Sequence, residues 1–380
     1  MIARLLLGLA AAALVPAIFA LLPLLHLAPN RLVTGTPISA GEVLGPWFWP
    51  VEGLSALGIT LLAACRGRVG SAVAAGACAA AVTLLLIGLG SGADTALAGQ
   101  PPASRARLAA GAWIGLILLS AALPPAARRA GLPGGGLVAG AGLGALLTIL
   151  FASGSLDGLS LAREVRSRRD VLGRAILDHL TLTLGALLLA LLVTVLLGLW
   201  RRGRGAIDLG VSGVQVVPAI ALFGGLVAAG SAVLNALPAL RGYGLSALGT
   251  GPALVGIAAY LLLPLWRGLE AALRAPDAES LDAARALGLS PRQILTDLRL
   301  PLGAAILVGG LRVASVQALG LATLGALVGA GGLGTLVFDG MAQFAPDLIL
   351  LGALPMIALS LAAETGLRAV EAAARRRWPR

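Results

Sequence analysis

The sequence predicts an all-α integral membrane protein of about ten transmembrane helices, and three observations carry that expectation. Of the 380 residues, 58% are hydrophobic and 12% charged, with a mean hydropathy of +0.95; soluble domains carry about 25% charged and 45–50% apolar residues. Uncharged apolar stretches recur, residues 5–25 and 180–200 among them, each matching the roughly 20 residues that a helix needs to cross a bilayer core about 30 Å thick. All 28 basic residues are arginine, gathered in short clusters between the apolar runs, which is how cytoplasmic loops orient a membrane protein.

In chain order, Arg4 precedes an apolar run that extends to about residue 27. That run is longer than a signal-peptide core of about 7–15 residues, so it is expected to stay as the first span. Further spans are expected over residues 47–65, 69–91, 108–127, 131–153, 179–200, 209–234, 245–266, 302–324 and 346–367. Trp47, Trp49, Trp200 and Trp266 stand at the ends of these segments, as the aromatic belts of membrane surfaces do. Gly136, Gly140 and Gly144 recur at four-residue spacing, the pattern that lets helix backbones approach closely. With the N-terminus inside, alternation places 18 arginines in the cytoplasm, 9 outside, and Arg312 within a span. The bias puts both termini on the cytoplasmic side of the membrane. Four regions follow: a five-helix membrane region (1–153), a polar external connecting segment (154–178), a second membrane region (179–370) containing a polar cytoplasmic loop (268–301), and a basic cytoplasmic tail (371–380).

Composition also excludes functions. The net charge of +11 sits between spans rather than on one face, so nucleic acid is not an expected partner. Cys65 and Cys78 fall in or beside apolar segments, too few for a metal site or a disulfide framework. His26 and His179 lie at expected helix ends without the spacing of a metal site or triad; no catalytic or metal-binding residue is expected. Glu52 and Glu364 lie near helix ends and are expected to reach the membrane surface.

The polar loop carries the most information. Leu281, Ala284 and Leu287 form a small apolar stripe, and Gly288 then ends the helix. Ser290 can cap the next helix, Pro291 suits its first position, Gln293 completes a capping box, and Leu289 can staple onto Ile294. A compact helix-turn-helix is expected, with Ile294, Leu295 and Leu298 on the apolar face of its second helix.

At this point the sequence resembles the membrane subunits of ATP-binding-cassette (ABC) importers, whose signature is Glu-Ala-Ala, three residues, Gly, nine residues, Ile, one residue, Leu-Pro. Here the series runs Asp282, Ala283, Ala284, Gly288, Leu298, Leu300, Pro301, with Asp for Glu and Leu for Ile. Glu270-Ala271-Ala272 lacks the glycine. The resemblance implies that residues 179–370 are a permease core of the type I importer fold, and that the loop is the coupling helix that docks on an ATPase subunit. Three further stretches narrow the resemblance: Gln215, Pro218, Ala221 and Leu222 resemble a segment of osmoprotectant permeases, the run from Gly309 to Gly334 resembles the betaine, choline and methionine permeases, and 252–269 resembles the helix that precedes the coupling loop there. The resemblance covers about residues 175–370. Because the coupling motif occurs once, it implies a second permease subunit, identical or paralogous, besides the ATPase and an external solute-binding protein.

Gly329, Gly331, Gly332 and Gly334 are not a phosphate-binding loop, since a chain without lysine cannot supply the lysine of such a site. No cofactor is therefore expected here; ATP and magnesium belong to the partner ATPase. These glycines, with Gln215, Pro218, Arg312 and Gln317, are the candidates for the translocation path or its gate. Gln215 and Gln317 can equally serve as interhelical hydrogen-bond donors. Arg312, inside an apolar segment, must face protein or a water-filled cavity. Aromatic cages hold quaternary ammonium groups, and aromatics make up 4% of this chain, so tight capture falls to the external binding protein. The sequence reading is thus an ATP-driven importer permease for quaternary ammonium osmoprotectants such as glycine betaine or choline. The alternatives are a permease for another small solute such as methionine, and an ion-gradient-driven secondary transporter.

Overall fold

Inside a bilayer every backbone N–H and C=O must be satisfied within its own segment, which restricts single spans to helices. The computed structural model describes residues 2–132, 134–200 and 203–378. Among the described residues, nine helices are long and apolar enough to cross a membrane, and α1 (Ile2–Leu21) is a further 20-residue apolar helix, so about ten spans are present. The chain divides into two compact units, residues 1–168 with 343–347, and residues 169–342 with 348–380.

In the first unit, α1 is followed by β1 (Leu25–Ala28), β2 (Thr36–Ile38), α2 (Ala40–Leu44), α3 (Phe48–Ala64), α4 (Arg68–Leu97), β3 (Arg105–Leu108), α5 (Ala110–Arg129), α6 (Gly135–Ala152) and α7 (Ser160–Ser167). The capping box of α2 is complete between Ser39 and Glu42. The core gathers Phe19, Leu24, Leu25, Leu44, Leu85, Leu89 and Leu119, all buried. Small residues bring α3 onto α4: a Cβ at Gly58 would stand 2.6 Å from Cys78 Sγ. The expected packing stripe on α6 is different. Gly140 and Gly144 have nothing within 4 Å of a Cβ position, because α6 packs on α5 through another face and turns this stripe outward.

The strands are a departure from the expected helices. Residues 25–28, expected at the end of the first span, pair antiparallel with both β2 and β3, in registers Leu25↔Ile38 and Leu25↔Leu108. The sheet carries a buried ionic network. Arg107 Nε donates to Asp347 Oδ2 at 3.2 Å, and Ser160 Oγ donates to the same oxygen at 2.6 Å. Arg107 also donates to the carbonyls of Val33 and Arg31. Buried Glu164 accepts from Arg31 and, at 3.1 Å, from Arg168. Glu52, expected at the membrane surface, is buried instead.

The second unit begins where the external connecting segment was expected to end later: α8 (Arg169–Leu199) runs unbroken from Arg169. It is followed by α9 (Arg204–Val216), α10 (Ala219–Ala236), α11 (Thr250–Leu273), α12 (Ala278–Ala286), α13 (Pro291–Gln293), α14 (Leu300–Ala322), α15 (Leu333–Ala342) and α16 (Pro346–Arg377). The expected span 209–234 is two helices, because Pro218 breaks α9 from α10. The basic residues 375–377, expected in a tail, are the last turn of α16. The centre is α11, packed between α8 and α14 around Leu182, Phe223, Ile257, Leu261, Ala314 and Ala318. Gly268 and Gly310 let α11 and α14 meet backbone to backbone, with a Cβ at Gly268 only 3.2 Å from Gly310 Cα. Trp266, expected in a lipid-facing belt, is buried and donates from Nε1 to Asp208 Oδ1 at 2.6 Å.

The network around Asp347 generates a stability prediction. Removing one partner of a buried pair strands the other charge and costs about 3–5 kcal/mol. Arg107→Ala should therefore lower the thermal midpoint of the purified chain in detergent markedly, whereas Arg166→Ala, which removes the exposed pair with Asp157, should leave it nearly unchanged.

Candidate coupling loop and permeation elements

The polar loop folds from its caps outward. Asp277 caps α12, accepting from Ser280 N–H at 2.7 Å; hydrogen bonds from the Ser280 side chain and backbone hold its carboxyl below the usual range. Asp282 pairs with Arg285 at 2.9 Å on the exposed side of α12. Ala283 is exposed, Ala284 is buried, and Leu287 is 80% exposed. Gly288 has φ +78°, a left-handed conformation that costs a residue with a Cβ about 1–2 kcal/mol. A Cβ there would meet nothing of this chain within 4 Å. The second capping box is complete: Ser290 Oγ accepts from Gln293 N–H, and the Gln293 side chain returns to Ser290 N–H at 2.9 Å.

One feature of the loop lay beyond the sequence pattern. Residues Ile294–Arg299 form a π-helical turn, and α14 continues directly from it with Leu300 and Pro301 in its first turn. Leu298 is half-buried, while Leu295 and Leu300 are exposed. The loop's second helix and the span beyond it are thus one rod, Pro291–Val328, of 38 residues. At about 1.5 Å per residue it is about 57 Å long, nearly twice a bilayer core, so it projects well beyond the membrane.

The candidate path residues lie at three places in the second unit. At the first, Gln215 Nε2 donates to Tyr260 O at 2.6 Å, and the Tyr260 hydroxyl donates to Val217 O beside Pro218. The cause is Pro264 in α11: a proline has no N–H for the carbonyl four residues back, and that carbonyl is Tyr260's. Gln215 replaces the missing donor. At the second place, Gly329, Gly331 and Gly332 all have positive φ (+82°, +76° and +84°), so this run is a turn rather than a helix. A Cβ at Gly332 would lie 3.3 Å from His179 Nδ1, and Gly334 packs against Thr323 O. Thr323 N–H bonds Gly320 rather than Leu319, four residues back; His179 Nε2 hydrogen-bonds the released Leu319 carbonyl at 3.0 Å. His179 is thus a buried residue within α8 and not at a helix end.

At the third place, Arg312 bridges α14 to α16, donating from Nη1 to Glu364 Oε1 at 2.7 Å and from Nε to Glu371 Oε2 at 3.1 Å. Glu364 is therefore an ion-pair partner rather than a surface-reaching group. Gln317 is half-buried on α14. Tyr260 and Glu371 escaped the sequence reading, and His179 and Glu364 were noted there without the partners that they have. Pro264 four residues after Tyr260 was the available signal for one of them.

A double set of spans, the second interrupted by an exposed, doubly capped helix-turn-helix, has the form of a membrane-embedded transport subunit. Residues 186–376, half of the chain, match the family described as binding-protein-dependent transport system inner membrane component, and the chain belongs to that family. Residues 3–162 match the N-terminal domain of ABC transporter permease YehY. The carnitine transport permease protein OpuCB of Listeria monocytogenes is 30% identical over 198 residues, covering 51% of this chain and 84% of that protein. The choline transport system permease protein OpuBB of Bacillus subtilis (strain 168) is 28% identical with the same coverage. The osmoprotectant import permease protein OsmW of Salmonella typhimurium is 31% identical over 145 residues, 38% of this chain and 62% of that protein. Among solved structures, the MetNI methionine ABC transporter in an inward-facing conformation aligns with 55% of this chain and 98% of its own, at 20% identity and a TM-score of 0.46. Family membership makes the chain a multi-pass transport component that works with an ATPase and a substrate-binding partner; it is not itself an enzyme.

The cap of α12 has a defined pH dependence. Its carboxyl is depressed in the folded state, so Asp277 stabilises the first turn above the ordinary value of 3.8, and that support is lost as pH falls below it toward the depressed value. Asp277→Asn should preserve the turn and remove the acid sensitivity, whereas Asp277→Ala should fray it at every pH. Limited proteolysis of the loop at pH 7 and pH 3 distinguishes the three proteins.

Proposed function

We propose that the chain is one transmembrane half of an ATP-driven importer for quaternary ammonium osmoprotectants such as glycine betaine, choline or carnitine. The observation that carries the reading is the loop itself: Asp282, Ala283, Ala284, Gly288, Leu298, Leu300 and Pro301 stand at the spacing of an importer coupling loop, on an exposed helix-turn-helix rigidly continuous with a span. Leu287, mostly exposed beside Gly288, is an apolar knob for a cleft in the ATPase. Movement of that cleft would pass along the rod to the turn at Gly329–Gly334 and to the Arg312 bridge, which serve as gate elements, with Gln215, Pro218 and Gln317 holding the helices around the path. ATP and magnesium are bound by the ATPase and not by this chain. A second permease subunit, identical or paralogous, completes the path. The substrate class is supported by the functions for which the carnitine, choline and osmoprotectant relatives are named, and the paucity of aromatics leaves capture to the binding protein.

Reconstituted with its ATPase, a second permease subunit and the binding protein, the chain should import a betaine or choline with ATP hydrolysis, and uptake should stop without the binding protein. Gly288→Asp should abolish uptake while the protein still inserts and assembles, since the added side chain meets the ATPase and not its own fold. Transport of methionine alone would refute the substrate; gradient-driven uptake without the ATPase would refute the coupling role.

The arginine bias supports an orientation with both termini and the coupling loop in the cytoplasm of a bacterial inner membrane. A cysteine at exposed Ser290 should resist membrane-impermeant thiol reagents applied to intact cells, and one at exposed Ser246 should react. Ser160 is unsuitable as the external probe, since it is buried against Asp347. The opposite labelling pattern would invert the topology.

A further inference from the structure

Below the Arg312 bridge, on the side of the coupling loop, α16 stands away from α11 and α14. The gap is a cavity of about 760 Å³. Its walls are apolar where α14 contributes Leu302, Ala305, Ile306 and Val313, and Gly309 and Gly310 add no side chain to fill it. The charged lining is unbalanced. Arg267, Arg312 and Arg375 face the cavity with Glu371 as the single carboxylate, and Glu371 already serves both Arg312 and Arg375. Arg267 is shared with Asp208 at 3.6 Å and Glu270 at 3.4 Å, and its side chain remains 54% exposed. Trp378 completes the lining, with the Arg377 guanidinium 5.3 Å from its ring centre.

The level of the cavity follows from α16. Its apolar stretch ends at Ala363, and Glu364, Arg368, Glu371 and Arg375 follow at helical spacing. The charges therefore emerge where the headgroup region begins, and Arg and Trp are the residues that settle there. One turn further into the membrane along α14, a second cleft of about 350 Å³ opens between α8, α14 and α16. It is lined by Leu184, Leu319, Leu359 and Leu367, with Thr183 and Ser315 as its polar groups. A basic cavity at headgroup level thus adjoins an apolar one at acyl-chain level on the same two helices.

We propose that this pair of cavities is a site for an anionic phospholipid of the cytoplasmic leaflet. Its phosphate would sit among the guanidiniums of Arg267 and Arg375, and an acyl chain would lie against α14 and α16. Arg267 and Arg375 keep their side chains 54% and 69% exposed beside apolar walls, beyond their carboxylate partners, and the planar fork of arginine suits phosphate oxygens. Basic pockets between spans on the cytoplasmic side are where anionic headgroups bind. A free phosphate would satisfy the arginines but leave the apolar cleft uncovered, which separates the two ligands experimentally. The inference rests on the cytoplasmic placement of the coupling loop and on no assignment of transported solute.

The test uses the full chain reconstituted in vesicles of equal parts phosphatidylglycerol and phosphatidylcholine, then extracted gently and weighed with its bound lipid by native mass spectrometry. Wild type should retain phosphatidylglycerol preferentially. Arg267→Gln and Arg375→Gln should each reduce that retention about fivefold, the effect of one surface arginine on anionic lipid. Arg128→Gln, an exposed arginine of the first unit, should not. Ile306→Trp, which fills the apolar wall and leaves every charge, should also lower retention; it keeps the test open if an arginine variant fails to fold. Equal retention of both lipids, or retention unchanged in all three cavity variants, overturns the proposal. So does displacement of the lipid by millimolar inorganic phosphate, which would make this a free-anion site. Disulfide crosslinking between copies at Ile306→Cys, with Cys65 and Cys78 replaced by Ala, would make the groove a subunit interface and likewise overturn it.

Discussion

The need to satisfy every backbone polar group inside an apolar slab governs the second unit. At three places where the chain leaves the regular helix, a side chain from a neighbouring helix completes the hydrogen bonding. Pro264 deprives the Tyr260 carbonyl of its donor, and Gln215 supplies one; Pro218 interrupts the α9–α10 segment, and the Tyr260 hydroxyl reaches the Val217 carbonyl beside the break. The tightening at Thr323 frees the Leu319 carbonyl, which His179 meets. In hydrocarbon an unsatisfied group costs several kcal/mol, so these repairs fix which helices are neighbours. They also place the irregular backbone, which is where a transporter can bend, at defined positions.

Charge is handled by the same logic with different groups. Arg312 is flanked by Glu364 and Glu371, and each of those is shared with a further arginine one turn along α16. The chain of alternating charge gives Arg312, Glu364 and Glu371 two partners each, which a single buried pair does not. In the first unit Asp347 and Glu164 are each held by two donors. Arginine suits this role, since its planar fork of five donors holds two or three acceptors in fixed directions.

Much of this was legible in the residues. Span positions follow from hydropathy because lipid leaves helices no alternative, and the loop's turn follows from Gly288, Ser290, Pro291 and Gln293 because caps are local devices. The sheet was not legible: β1 is a four-residue strand whose partner β3 lies some 80 residues away, and a four-residue apolar run at the end of a longer one has no period of its own. Side-chain direction was the other blind spot. The α6 glycines carry a packing pattern yet turn outward, and Trp266, beside Arg267, turns inward to Asp208. Hydropathy reports how apolar a segment is but not which face meets protein and which meets lipid. The domain limits shifted because Arg169–Asp178 is polar but contains no breaker beyond Gly173, so α8 simply begins earlier.

The π turn at Ile294–Arg299 gives the residue count of the importer signature a geometrical meaning. A π turn holds one residue more than the α turn it replaces, and each residue of an α-helix advances the chain by about 100° around the axis. The turn therefore absorbs the extra residue without rotating the helix on either side of it: deleting one residue within Ile294–Arg299 would let the rod close into continuous α-helix with the knob at Leu287 still facing the same way, whereas deleting one from a regular α turn of the rod would swing the knob by about 100°. Whether a change of length here alters the direction of the docking surface therefore depends on whether it falls inside the π turn or outside it.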